Sequence, residues 1–323
     1  MLSDVMNYYS FIRDFKGAGY FETEHHQQIV KELKVAIKQG QMVALSGIVG
    51  CGKTTTLKAI QQELNKEKEV LVSKSLSVEK GQVNLGTLIL ALFYDLVTEK
   101  DFKIPTQPER RERMLQALIK KRQKPIALFV DEAHDLHNKT LIGLKRLIEV
   151  VQDGDGILSI ILAGHPKLKN DLRRPAMEEI GARTTVFTLE GIQGQKTEYI
   201  NWLLEKCLKK GVKRADVITD DALAQLAERL TTPLQIEQHL GLAFDEGYHI
   251  GQKPVETEII DAILAKDINA LEPRLTRHGY TAKTLAELLD TKPAEIRSFL
   301  NGNLTPARTQ ELQNNVLAIG IPL

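Results

Sequence analysis

The sequence predicts an α/β fold in which a parallel sheet carries a phosphate-binding loop, followed by an α-helical lid and a small helical C-terminal module. Three observations predict it. The apolar run Met42-Val43-Ala44-Leu45 leads directly into Gly47-Ile48-Val49-Gly50-Cys51-Gly52-Lys53-Thr54, the pattern G-x-x-x-x-G-K-[ST] between a strand and a helix. A second apolar run, Pro125 to Val130, ends in the acids Asp131 and Glu132. Beyond about Glu190 the strand patterns stop and only helical ones follow.

The loop binds a nucleoside triphosphate in this reading. Its glycines let the backbone N–H groups wrap the β- and γ-phosphates, and the following helix adds the positive end of its dipole. Residues Gly47, Ile48, Val49, Gly50, Cys51, Gly52, Lys53, Thr54 and Thr55 form the candidate nucleotide site. Lys53 would neutralise phosphate charge and Thr54 would ligate Mg²⁺.

The remaining elements follow in chain order. Tyr8, Tyr9, Phe11 and Phe15 form an aromatic cluster before the first strand. Tyr20, Phe21 and Glu22 either line a base pocket or simply pack. A helix then places Ile29, Leu33, Ala36 and Ile37 on one face. After the loop helix, Glu69 to Ser73 reads as a second strand, and Leu85, Leu88, Ile89, Leu92, Phe93 and Leu96 as a strongly apolar helix. Pro105 and Pro108 break that pattern. A basic helix follows from about Glu109 to Arg122, with Met114, Leu115, Leu118 and Ile119 expected to face inward.

An uninterrupted apolar strand implies burial on both faces, hence a parallel sheet covered by helices. At the carboxyl end of the Pro125 run, Asp131 would hold Mg²⁺ and Glu132 would act as general base toward the attacking water. The run Ile157 to Ala163 ends at Gly164-His165-Pro166. His165 would sit between the two phosphate-site motifs or serve as a turn residue. Arg173, Arg174 and Arg183 precede or flank a last strand, Thr185 to Leu189, and any of the three is a candidate arginine finger toward a neighbouring subunit. Helical patterns follow at 196–210, 220–229, 233–247 and 256–266.

Composition narrows the class. The 323 residues carry a net charge of +1 and are 42% hydrophobic, which fits a globular chain without global basicity, so any polyanion site is local. Cys51 and Cys207 offer neither metal-ligand spacing nor a disulfide framework. No apolar run approaches the ~20 residues that span a bilayer, and Met1-Leu2-Ser3-Asp4 lacks a signal-peptide layout. A cytoplasmic protein with no membrane partner is the expectation.

Together these motifs, with Asp131-Glu132-Ala133-His134, the polar strand tip and the helical lid, resemble the AAA+ ATPases. Within that group the Tyr-Phe-Glu-Thr segment at Tyr20 and the Ile-Leu-Ala-Gly-His-Pro strand look most like the ExeA/TniB/TnsC set, related to MuB. The resemblance covers roughly residues 17–265. It implies ATP and Mg²⁺ as cofactors and assembly-coupled ATP hydrolysis. It also implies a homo-oligomer, ring or filament, on double-stranded DNA without sequence preference. The partners it implies are a DDE transposase and a target-selection adaptor. An ExeA-like secretion-assembly ATPase and a nucleotide-switched transcriptional regulator are the alternatives.

One departure stands out. Where many AAA+ lids carry an arginine, this chain reads Thr231-Thr232-Pro233-Leu234-Gln235, so Gln235 takes that place at the nucleotide without bringing charge, and slow hydrolysis is the expectation. The expected organisation is a core with N-terminal extension (1–190), a lid (191–268) and a third module (269–323). In that module two short helices around a tight turn resemble a helix-turn-helix. Arg274, Arg277, Lys283, Lys292, Arg297 and Arg308 nearly balance Glu272, Glu287, Asp290, Glu295 and Glu311, so either DNA or a protein is its partner. Lys74, Lys80, Lys100, Lys103, Arg110 and Arg111 are the candidate phosphate-backbone contacts on the core.

Overall fold

Helices α1 (Ser3–Tyr9) and α2 (Glu24–Lys38) precede the sheet, whose five strands are β1 (Met42–Ser46), β2 (Leu71–Lys74), β3 (Ile126–Val130), β4 (Leu158–Gly164) and β5 (Thr184–Thr188). Between the strands run α3 (Lys53–Glu67), α4 (Leu85–Leu96), α5 (Pro108–Arg122), α6 (Asn138–Asp153), α7 (Pro166–Leu172) and α8 (Glu178–Gly181). This is a computed structural model that describes residues 1–75, 83–98, 103–264 and 268–323.

All pairings are parallel, in the order β2-β3-β4-β1-β5. The continuous apolar runs have their expected cause: every residue of β1, β3 and β4 is buried. Val43 and Leu45 point to one layer, with Leu33 and Ile37 of α2 and Ile60 and Leu64 of α3. Met42 and Ala44 point to the other, with α4, α5 and α6. Each fully buried Leu or Ile there contributes roughly 1.5–3 kcal/mol. On α5, Leu115 and Ile119 are buried as expected, whereas Met114 is exposed because it lies at the edge of that face.

The lid comprises α9 (Lys196–Cys207), α10 (Asp220–Arg229), α11 (Pro233–His249) and α12 (Thr257–Ile263). Lys80, Lys100 and Lys266 lie outside the described residues. The N-terminal extension, expected with the core, packs with the lid instead. Tyr9 and Phe11 stack edge-on against Phe244 of α11 at centroid distances of 4.8 and 4.9 Å. Ile12 donates its N–H to the Cys207 carbonyl, and the Tyr9 hydroxyl donates to that of Gln252. Aromatic side chains bury large areas, and Tyr9, Phe11 and Phe15 bury theirs in the apolar cluster of the lid around Phe244.

The C-terminal module contains α13 (Leu271–Arg277), α14 (Ala282–Leu288), α15 (Pro293–Leu300) and α16 (Pro306–Ala318). It has its own apolar cluster, including Leu275, Tyr280, Leu285, Ile296, Phe299, Leu312 and Val316.

Helix α2 begins at Thr23, whose hydroxyl accepts from the His26 N–H and lies 2.7 Å from His26 Nδ1. Burial holds the His26 imidazole below its usual range, because the charged form loses water. The unfolded chain therefore takes up this proton first, and stability falls as pH drops below about 6.5. The expected outcome is a Tm that declines between pH 7 and pH 5, with a shallower decline in His26→Gln. Thermal unfolding followed by circular dichroism at several pH values measures both slopes.

Candidate functional site: a phosphate loop with paired acids and histidines

Parallel register places the site. Ser46 lies opposite Gly164, and Val130 opposite Leu162, so the chain leaves β1, β3 and β4 at one edge of the sheet. Ligand sites of open α/β sheets lie outside these carboxyl ends.

After β1 the loop turns through Gly50 (φ 81°) and Gly52 (φ 102°), conformations that side-chain-bearing residues rarely adopt. A side chain at Gly50 would also meet Leu234 and Thr232 of the lid at 2.8 Å. Gly52 caps α3, so the first N–H groups of that helix open onto the loop. Lys53 is buried, and its ammonium donates to the carbonyls of Gly47 (2.8 Å) and Ile48 (3.0 Å), which keeps the charge within the loop. Burial raises the Cys51 thiol above its usual range, so this cysteine stays a small apolar filler.

Thr54 and Asp131 meet directly: the hydroxyl donates to Asp131 Oδ2 at 2.8 Å. The other carboxylate oxygen accepts from the Glu132 N–H at 2.9 Å. A hydroxyl and a carboxylate converging beside a cradle of N–H groups form an oxygen-only donor set that fits Mg²⁺.

Glu132 sits in the left-handed region (φ 53°), a costly place for a non-glycine residue. Its Oε2 lies 3.5 Å from His134 Nε2 and 3.9 Å from His165 Nε2. The two imidazoles stack with centroids 3.7 Å apart and planes 25° apart. These three residues also meet the distance requirement for a metal cluster. Stacked rings aim their lone pairs in parallel, however, which suits positioning a carboxylate better than chelation. Burial pulls the His134 pKa down, outweighing the neighbouring Asp135 and Glu132 carboxylates. A neutral ring therefore faces Glu132 at neutral pH.

The candidate arginines divide. Arg174 pairs with Asp171 at 2.9 Å, and Arg183 pairs with Glu149. Arg173 is exposed, makes no side-chain ion pair among the described residues, and lines a cleft beside Ser46, Gly47 and Ile48. Gln235 is engaged elsewhere than expected. Its Oε1 accepts from the N–H groups of Thr231 and Thr232, closing a capping box at the start of α11. Thr232 and Leu234 are the lid side chains nearest Gly50 of the loop. Phe21 packs on Tyr199 and Trp202 of α9, each at 5.3 Å, while the Tyr20 hydroxyl lies 3.4 Å from that of Thr56 on α3. The segment thus joins lid to core.

Sequence reasoning missed the stacking of His134 on His165, although the Asp-Glu-Ala-His run displays the first histidine. It also missed the contact of residues 277–280 with the loop, the β4 tip and α7, for which no local signal exists.

The fold and the site define a P-loop AAA+ architecture. Residues 36–172, which include the loop, Asp131, Glu132 and His165, match the family model described as AAA domain. The chain is 27% identical over 173 residues to General secretion pathway protein A of Aeromonas hydrophila, covering 51% of this chain and 30% of that protein. It therefore spans less than a third of the length of this curated relative. Among solved structures it is similar to the Aeropyrum pernix ORC2 protein in ADPNP–ADP complexes, with a TM-score of 0.60 and 12% identity over 96% of this chain and 90% of that one. It is also similar to Drosophila ORC bound to DNA, with a TM-score of 0.56 and 13% identity over 99% of this chain and 80% of that one. At these identities the likeness is one of fold.

Lys53→Ala removes the charge-assisted contact to phosphate, worth roughly 1.5–3 kcal/mol. Nucleotide affinity is expected to weaken by about 10- to 100-fold, as read by titration with a fluorescent ATP analogue. Retained affinity removes Lys53 from the phosphate site.

Proposed function

We propose that this chain is a slow Mg²⁺-dependent ATPase whose nucleotide state governs its assembly as a homo-oligomer on duplex DNA, in the service of a transposase. The observation that carries the nucleotide part is the convergence of Thr54 with Asp131 beside Glu132 and its two histidines. In this reading the loop N–H groups and Lys53 hold the triphosphate. Thr54 and Asp131 would hold a divalent cation, which would supply charge neutralisation to the triphosphate. Glu132 takes a proton from the attacking water, and the neutral His134 with His165 orients that carboxylate. Arg173 of a neighbouring copy is the best-placed finger, because Arg174 and Arg183 are already paired within the chain. Slow turnover follows from a lid that brings no cation to the γ-phosphate through Gln235, which caps its own helix.

Support for the DNA part comes from three directions: the resemblance to the TniB/TnsC set, the DNA-bound state of an ORC relative in fold, and the module's α14–α15 pair. Lys292, Ala294 and Arg297 are exposed on the second helix of that pair, where a helix-turn-helix presents its contacts. Lys74, Lys103 and Arg110 are exposed on the core, whereas Arg111 is half-buried, its Nε enclosed, and is a weaker candidate. Sequence-independent contact through such bases would be strongly salt-dependent. The match to General secretion pathway protein A favours a second reading, an ATPase of secretion-complex assembly. Among the described residues no helix is long and apolar enough to cross a membrane.

Glu132→Gln is expected to keep nucleotide binding while lowering turnover by about 10²- to 10⁴-fold, measured as phosphate release. Arg173→Ala should reduce turnover by roughly 10³-fold with binding unchanged; an effect of that size from Arg183→Ala instead would move the finger. Retention of duplex DNA with a slowly hydrolysed ATP analogue should fall steeply between 50 and 200 mM salt, by about 10³-fold if some six phosphates are contacted. Absence of retention at low salt leaves the secretion-assembly reading.

A further inference from the structure

The C-terminal module is seated on the triphosphate site. Consecutive carbonyls of the turn after α13 accept from core N–H groups: Arg277 from Val49 at 3.0 Å and His278 from Lys167 at 3.2 Å. Gly279 (φ 92°) follows, so close to the strand tip that a Cβ there would lie 2.9 Å from His165 Cβ and Nδ1. Tyr280 is buried, and its hydroxyl accepts from Asn170 Nδ2 at 2.7 Å. The same amide lies 3.3 Å from the Gly320 carbonyl at the far end of the module. The three core elements contacted are the phosphate loop, the β4 tip and α7.

Val49 decides the consequence. It belongs to the loop whose N–H groups would hold the phosphates, and the turn that occupies its N–H also packs Gly279 on His165, whose Nε2 lies 3.9 Å from Glu132 Oε2, the side on which a terminal phosphate would meet the attacking water. Its N–H cannot serve a carbonyl and a phosphate oxygen equally well, and the carbonyl turns its negative end toward the position of the added charge. A diphosphate does not extend that far. We propose that the module is a plug on the nucleotide site, displaced by the γ-phosphate of ATP and tolerated by ADP. Docking leaves the outer face of α15 exposed, so what the plug withholds is the face of the core that receives the γ-phosphate and the neighbouring subunit's arginine. This inference rests on the loop being a triphosphate site.

Energy transfer between dyes at Lys66→Cys on α3 and Asn314→Cys on α16 reports docking. Both positions are exposed, whereas Cys51 and Cys207 are buried. Excess unlabelled protein removes transfer between copies. A slowly hydrolysed ATP analogue is expected to lower transfer, and ADP to leave it high. Asn170→Ala and Gly279→Val, one removing module contacts from the core side and one from the module side, should lower transfer without nucleotide. They should also tighten ATP binding, by about ten-fold if the docked form is nine-tenths of the molecules. Binding of the analogue to the wild type with unchanged transfer, together with unchanged affinity in Asn170→Ala, overturns the plug while leaving the nucleotide site intact. Binding to Asn170→Ala but not to the wild type is its strongest support. Absence of binding to both removes the nucleotide reading and the plug with it.

Discussion

Parallel pairing of β1 with β4, and of β4 with β3, is the constraint on which everything functional here depends. It sets Ser46 beside Gly164 and Val130 beside Leu162, so three chain segments leave the sheet at one level. The phosphate loop, the Asp131–Glu132 pair and His165 are far apart in sequence, and this register alone makes them neighbours. Burial of the strands on both faces enforces it, since each strand is locked by side chains to the helix layers above and below.

Around that edge the chemistry is organised by contrast of environment. Thr54 and Asp131 share a polar, oxygen-rich corner, whereas His134 sits under enough protein that burial keeps its ring neutral beside a carboxylate. Glu132 is held in a strained backbone conformation between the two. Strain of this kind persists only where surrounding contacts over-determine it. The stacked imidazoles, the Asp131 acceptor and the packed β3–β4 pair supply those contacts.

The helical parts close on the site from two directions. The lid approaches with Thr232 and Leu234 against Gly50, and is itself completed by the N-terminal aromatic segment, which places Val5, Tyr9, Phe11, Phe15 and Ala18 in the lid's core. From the other side the C-terminal module reaches Val49, Lys167 and Asn170. The loop glycines thus meet two constraints at once, backbone torsion and close approach by other elements. Gly50 displays both.

By itself, the sequence determined the fold class, the glycine-rich loop after β1, the acids at the end of β3 and the change from a parallel sheet to helices. Each of these rests on local physics: apolar runs that must be buried on both faces, a turn that needs glycine, and helical periodicity. The ends of the five strands and of α4, α5, α10 and α11 were legible to within two residues, whereas α9 and α12 end three residues short of their periodic patterns and α6 was not read from the sequence. Only the tertiary structure decided that Arg174 and Arg183 are held in ion pairs while Arg173 makes none among the described residues, that Gln235 caps its own helix, that His134 stacks on His165, and that Tyr9 and Phe11 join the lid. Those outcomes depend on contacts between residues tens to hundreds of positions apart, which no local pattern encodes. The seating of Arg277–Tyr280 on the loop, the β4 tip and α7 is the clearest case, because two of its bonds to the core run through backbone carbonyls that every residue possesses.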